Sequence, residues 1–278
     1  MRTLSLISGQ TMPVLGLGTW RMGESASQRQ TEIRALRHGL DLGISLIDTA
    51  EMYGEGGAEQ VIAEAMAGRR SQVFLVSKVY PHNASRQGTV AACERSLQRL
   101  KTDYLDLYLL HWRGAIPLAE TLEALQTLQQ AGKIRSYGVS NFDMQDMQQL
   151  AALGPAGAAV VTNQVLYNLS RRGIEFDLLP WCRQHRIPIM AYSPIEQGRL
   201  LRHPTLKSIA QQRQVTPAQI ALAWLFHQDN AIVIPKSSRV EHVEQNRAAL
   251  DLKLSEAELA ALEAAFPAPE RAEPLAVL

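Results

Sequence analysis

Residues 46–60 read LIDTAEMYGEGGAEQ, and the fold is legible from this stretch outward. The largely apolar run from Ile44 to Ile47 stops at Asp48. A polar turn holding Tyr53, Gly54, Gly56 and Gly57 follows, and an amphipathic stretch begins near Glu59. That is the pattern of a buried strand, a loop and a helix start. It sets a carboxylate at a strand end and a phenol in the loop beyond it over one sheet edge. In a barrel of parallel strands such an edge carries the chemistry. A strand-ending aspartate also caps turns, so the stretch has to be weighed with the rest of the chain.

The chain has 278 residues, close to the ~250 typical of one (β/α)8 barrel and short for three ordinary domains. Lys plus Arg total 28 against 27 Asp plus Glu, a formal net charge of +1. That balance offers no basic stripe for nucleic acid and no acidic tail. The two cysteines, Cys93 and Cys182, are far apart and form no CxxC pair. Neither a disulfide framework nor a metal site is expected, and a reducing, cytoplasmic setting fits. MRTLSLISGQ at the N-terminus lacks the sustained apolar core of a signal peptide. No apolar run reaches the ~18 residues needed to span a membrane.

In chain order, residues 3–14 suggest a hairpin turning at Ser8-Gly9-Gln10. VLGLGTW (14–20) is an apolar strand. Its Gly16 and Gly18 begin a dinucleotide fingerprint that fails at Arg21, where the third glycine belongs. A unit of about 30 residues then repeats. Helices are predicted over 28–42, 58–67, 86–101, 121–133, 143–153 and 173–186. Strands are predicted at 44–48, 73–79, 104–112, 136–142, 159–165 and 187–195. Thr216-Pro217 opens another helix, residues 231–238 form the last strand, and a helix over 239–249 follows. Ser255 to Glu258 is a capping box for a final helix to Phe266. The Pro-rich tail 267–278 is expected to be loosely held. Strands alternating with helices predict one domain, 1–278, folded as a (β/α)8 TIM barrel with a short N-terminal hairpin. The polar residues support a barrel over an open sheet. Asp48, Lys78, His111, Asn141, Gln164, Tyr192 and Lys236 all fall at C-terminal strand ends, which a barrel gathers into one ring.

Asp48, Tyr53, Lys78 and His111 together suit reduction of a carbonyl. A phenol with a pKa of about 10 is a poor proton donor near neutrality. A neighbouring Lys78 would lower that pKa, and Asp48 would hold the lysine by a charged hydrogen bond. His111 would donate to the substrate oxygen and orient it. Each residue also has a structural reading: an ion pair at the mouth, a satisfied buried histidine, a packed tyrosine. Placement on consecutive strand ends favours the chemical one.

The strings GLGTW, DTAEMYG, VSK, LLHW, GVSNF, NQVLYN, AYSP and IPKS stand in the order seen in aldo-keto reductases, and the resemblance runs from about residue 5 to residue 266. It implies that Asp48, Tyr53, Lys78 and His111 form the catalytic tetrad, with Tyr53 as proton donor. It implies that Ser140, Asn141 and Gln164 bind a nicotinamide carboxamide and that Tyr192 stacks under the ring. Ser193, Pro194, Ile195, Gln197, Gly198 and Leu200 would cover the pyrophosphate. Lys236, Ser237 and Ser238 would receive the adenosine end, as a cation beside a helix start also favours phosphate on physical grounds. Trp20, Tyr80 and Trp112 would wall the substrate pocket, although aromatics at strand ends also plug barrels.

Two departures stand out. The family's pattern places an arginine six residues beyond the lysine of IPKS, followed by Glu-Asn; here those positions are His242 and Gln245-Asn246. Arg239 is the nearby substitute, so NADPH is the expected cofactor and NADH remains possible. Only a short tail follows Phe266, where selective relatives carry a long loop. An open pocket for small aldehydes or ketoaldehydes is expected, resembling bacterial members of methylglyoxal-reductase type, and the chain is expected to be a monomer. The rival readings are a cofactor-binding regulatory module of the same fold, and a lyase that forms a Schiff base through Lys78.

Overall fold

A computed structural model describes residues 1–278. Strands β1 (Thr3–Ser5) and β2 (Thr11–Pro13) form the expected antiparallel hairpin, pairing Leu4 with Met12. Gly9 makes the turn at φ 84°, a left-handed conformation that glycine adopts without a Cβ clash. Eight parallel strands follow: β3 (Gly16–Gly18), β4 (Leu46–Asp48), β5 (Phe74–Val79), β6 (Leu105–Leu110), β7 (Ile134–Ser140), β8 (Asn163–Leu166), β9 (Ile189–Tyr192) and β10 (Ala231–Val233). Each pairs with its successor in sequence. Parallel bridges from Leu15 to Val233 and from Gly18 to Lys236 join the first strand to the last and close the barrel. The closure explains the glycine that mimicked a dinucleotide fingerprint. A Cβ on Gly18 would lie 2.8 Å from the Ile234 carbonyl oxygen, so only glycine lets the two strands meet.

The strands sort their residues by a period of two. Leu46, Val76, Leu107, Leu109, Met190, Ile232 and Ile234 face inward and pack with Leu6 and Met12, which floor the barrel. Ile47, Leu75, Tyr108, Val165, Ile189 and Val233 face outward into the larger core beneath the helices. Asp48, Lys78, His111, Tyr192 and Lys236 each lie two residues beyond an inward apolar residue. The same alternation that fills the barrel thus carries these polar side chains into its C-terminal mouth.

Several boundaries differ from the sequence expectation. The last strand ends at Val233 rather than 238, because Pro235 has no N–H to extend the ladder. The helix expected over 173–186 is split into a 3-10 turn at Gly173–Glu175 and a helix at Leu178–Gln184, whose start is fixed by Asp177 accepting from the Leu178 N–H at 2.6 Å. A helix at Pro204–Arg213 was not expected, since it buries only Leu206, Ile209 and Ala210. The tail 267–278 forms no helix or strand. Even so, Leu275 packs on the main core, and Glu273 to Ala276 roof a side cavity of about 270 Å³ next to Arg171 and Arg172. No helix is long and apolar enough to cross a membrane.

Candidate active site

Lys78 is the centre of the mouth. Its ammonium donates to Asp48 Oδ2 at 2.8 Å and to the Thr49 carbonyl at 2.8 Å, and reaches Tyr53 Oη at 3.4 Å. These three contacts match the three donors of an ammonium group. The last is long for a hydrogen bond. Lys78 and Asp48 are both buried, and a buried pair survives only where each charge is matched.

Tyr53 enters from the loop after β4, in a tight turn over Tyr53–Gly56 where Gly54, Glu55 and Gly56 all have positive φ. His111 extends β6 by donating its backbone N–H to the Val79 carbonyl at 3.0 Å. Its ring stands edge-on to Tyr53, with centroids 5.7 Å apart, and packs against Trp112 at 4.9 Å. Tyr80 lies 4.9 Å from Trp112, so these two expected wall residues and His111 form one aromatic group. Trp20 is exposed and is joined only by the Arg21 guanidinium over its ring.

The electrostatics correct one expectation. Lys78 was expected to lower the Tyr53 pKa. In the structure, burial and then the Asp48 carboxylate hold it well above its ordinary value. Tyr53 keeps partial exposure, and water at the mouth screens some of this effect. The phenol therefore keeps its proton. Burial also lowers the Lys78 pKa, against the attraction of Asp48. For His111, burial and then Lys78 push the pKa down to about 2. The imidazole is neutral near pH 7, and its Nδ1 has no hydrogen-bond partner.

The residues expected around the carboxamide are together and paired with one another. Ser140 Oγ donates to the Gln164 carbonyl at 2.8 Å, and Asn141 Nδ2 donates to the His111 carbonyl at 3.1 Å. Tyr192 Oη donates to Asn141 Oδ1 at 2.9 Å. Gln164 Nε2 donates to Asp48 Oδ1 at 2.8 Å. The loop after β9 curls through left-handed conformations at Ser193, Gln197 and Gly198, with Pro194 and Leu200 buried. Ile195 is partly buried and packs on the main core.

Lys236 stands at the barrel closure. Beyond it, Ser237 Oγ accepts from the Arg239 N–H at 3.0 Å, and no side chain caps the helix Val240–Ala249. Arg239 is exposed and meets Glu241 only at 3.8 Å. His242 is exposed, and Gln245 and Asn246 are half-buried on the same helix. No hydrogen bond joins His242, Gln245 or Asn246 to the tetrad.

Sequence reasoning missed three carboxylates that support this mouth. Glu196, buried in the β9 loop, accepts from Asn168 Nδ2 at 2.9 Å and pairs with Arg171 at 3.0 Å and Arg199 at 3.3 Å. Asn168 Nδ2 also donates to the Ser193 carbonyl at 2.9 Å, so the loop is tied to the segment after β8. Glu51 accepts from the Tyr80 N–H at 2.8 Å and from Asn83 at 3.0 Å. Glu59 lies behind the wall. The signal available was a single acid inside an otherwise uncharged SPIEQG string, or a second acid in DTAEMY.

The family model of the Aldo/keto reductase family matches residues 14–266, and the chain belongs to that family. It is 54% identical over 265 residues to methylglyoxal reductase YeaE of Escherichia coli (strain K12), covering 94% of this chain and 93% of that protein. It is 34% identical to a glyoxal reductase of Bacillus subtilis (strain 168), over 94% of this chain and 92% of that protein. A crystal structure of an aldo-keto reductase from Klebsiella pneumoniae in complex with NADPH superposes with a TM-score of 0.97 at 51% identity, covering 100% of this chain and 99% of that one. Membership makes this chain an NAD(P)H-dependent carbonyl reductase.

Proposed function

We propose that the protein reduces small aldehydes and ketoaldehydes of methylglyoxal type to alcohols with NADPH, and that Tyr53 is the proton donor. The observation that carries the chemistry is the chain Asp48–Lys78–Tyr53, at 2.8 and 3.4 Å, beside a neutral imidazole. The 54% identity to a methylglyoxal reductase supports the substrate class.

The donor set fits a nicotinamide dinucleotide. Ser140, Asn141 and Gln164 offer hydroxyl and amide groups at one side of the mouth, next to the Tyr192 ring. Lys236, the serines after it and the uncapped helix start at Val240 offer positive charge and free N–H groups to a phosphate. Bound there, the cofactor would supply the hydride that goes to the carbonyl carbon. The chain's own groups handle the oxygen. His111 would donate one hydrogen bond to the carbonyl oxygen, aligning it with Tyr53 Oη. As negative charge grows on that oxygen, Tyr53 gives up its proton to complete the alcohol. Lys78 then stabilises the phenolate left behind, and Asp48 keeps the ammonium aimed at it. The phenol's raised pKa makes it a weak acid until the oxyanion forms, which ties proton transfer to reduction.

Following NADPH and NADH oxidation over a panel of small aldehydes and ketoaldehydes tests this reading. Turnover is expected with methylglyoxal-type substrates, and Tyr53→Phe should lower kcat by at least ~10²-fold, the lower end for general acid catalysis. Most activity surviving in Tyr53→Phe would remove the phenol from its role. Binding of NADPH without turnover on any carbonyl would favour a regulatory module instead.

A further inference from the structure

Behind the barrel wall, on the far side of β5 from Lys78, lies a second charge pair, with Glu59 buried and Arg99 partly exposed. Ser77 points outward while its neighbour Lys78 points inward. Ser77 Oγ donates to Glu59 Oε1 at 2.7 Å, and Arg99 Nε donates to Glu59 Oε2 at 2.6 Å. Glu59 is fully buried in the first turn of the helix Gly57–Ala65. Arg99, from the helix Arg86–Leu100, also reaches Ser96 Oγ at 3.3 Å. Its stem lies against Gly56, where an added Cβ would stand 2.5 Å from Arg99 Cδ. Gly56 is the last residue of the turn that carries Tyr53. The other side of that turn rests on the first loop: a Cβ on Gly54 would lie 2.9 Å from the Met22 carbonyl, and one on Gly57 2.5 Å from the Gly23 carbonyl.

We propose that Glu59 and Arg99 form a buttress that positions Tyr53 against Lys78, with Glu59 a positioning residue for proton transfer. The proposal rests on the reading of Tyr53 as proton donor. A turn with three consecutive positive φ angles has no ladder of its own to hold it. The Arg99 stem gives it a fixed surface, and Glu59 fixes that stem to β5, the strand that presents Lys78. One side chain thus ties together the elements that carry the phenol and the ammonium. Glu59 also acts through charge. Burial lowers the Lys78 pKa, and Asp48 and then Glu59 oppose this. The groups facing Lys78 are Asp48 from β4, Tyr53 from the turn, His111 beyond β6 and, through the wall, Glu59. Cys93 and Tyr108 are the further neighbours of Glu59 and carry no charge, because burial raises both their pKa values.

The test compares Glu59→Gln, Arg99→Lys and Arg99→Met by kcat, KM for NADPH, Tm and the pH profile of kcat. Glu59→Gln should lower kcat about tenfold, as small displacements of reacting groups do, and leave KM for NADPH within about twofold. Loss of the Glu59 charge should let Lys78 lose its proton at lower pH, moving the alkaline limb down. Arg99→Lys should keep most of the activity, whereas Arg99→Met should behave like Glu59→Gln. A folded Glu59→Gln with kcat within about twofold of the parent, or with a reduced kcat and an unmoved limb, overturns the proposal. Should Glu59→Gln fail to fold, the arginine variants decide: matching kcat and limb in Lys and Met overturn it, and rescue by Lys alone supports it. Tyr53→Phe runs beside them. If it stays active, the donor assignment and this proposal both fall. If it is inactive while Glu59→Gln is normal, only the buttress falls.

Discussion

Gln164 Nε2 donates to Asp48 Oδ1 at 2.8 Å, joining two strands from opposite sides of the barrel. Asp48 is therefore held twice, by Lys78 on one oxygen and by Gln164 on the other. A residue expected from sequence to meet the cofactor is thus also bonded to the Asp48–Lys78 ion pair.

Gln164→Glu should expose this link. It sets a second carboxylate where Asp48 now accepts a hydrogen bond, and two like charges at that distance raise one pKa. At neutral pH the variant should lose at least ~10-fold in kcat/KM by analogy with other misplaced buried charges. Activity relative to the parent should recover as pH falls, because the introduced carboxyl, once protonated, donates to Asp48 as the amide did. A constant ratio between about pH 5 and 8 would argue that the Asp48 contact has no part in the reaction.

Lys78→Met leaves Asp48 buried without its cation, a change that typically costs about 3–5 kcal/mol. Urea denaturation should show a loss of that order, alongside loss of turnover. Adding Asp48→Asn should restore much of the stability and none of the activity. If the double variant is as unstable as the single one, the buried charge is not the cause.

His111 makes stability depend on pH in a defined direction. Its folded pKa, lowered to about 2 by burial and Lys78, lies far below the ~6.5 of an exposed imidazole. Only the unfolded chain binds a proton between those values, so this group's contribution is complete above ~6.5 and declines as pH falls towards 2. His111→Phe should lack this term. The parent's unfolding free energy, measured against the variant's, should fall by up to about 2 kcal/mol between pH 7 and 5. A difference that does not change with pH would mean the folded imidazole titrates normally.

Arg239 is exposed and only loosely engaged by Glu241 at 3.8 Å, which leaves it free to meet a 2′-phosphate. Arg239→Ala should lower the NADPH-over-NADH ratio of kcat/KM by roughly 10-fold or more, matching a charge-assisted contact of about 1.5–3 kcal/mol, with Tm unchanged. The parent's ratio should be nearly equal at about pH 6 and 8, since arginine does not titrate there. A ratio that falls as pH rises would shift the role to His242.

The amino-acid sequence determined the barrel and the membership of its polar ring. Alternation of two along Leu46-Asp48, Val76-Lys78 and Met190-Tyr192 is a local property, set by backbone geometry within each strand. Glycine at 18 and proline at 235 also act locally, although their purpose, closing the last strand on the first, shows only in the fold. The tertiary structure alone decided which polar groups pair. Gln164 meets Asp48 from 116 positions away, and Glu59 meets Arg99 from 40. Such contacts depend on how the strands are staggered around the barrel and how the helices lie on it, which no short window of sequence encodes. The same holds for the phenol's pKa. From sequence, Lys78 beside Tyr53 predicts a lowered value; burial and a carboxylate on the lysine's other side reverse it, because desolvation is a property of everything packed around a group and not of its neighbour in a motif.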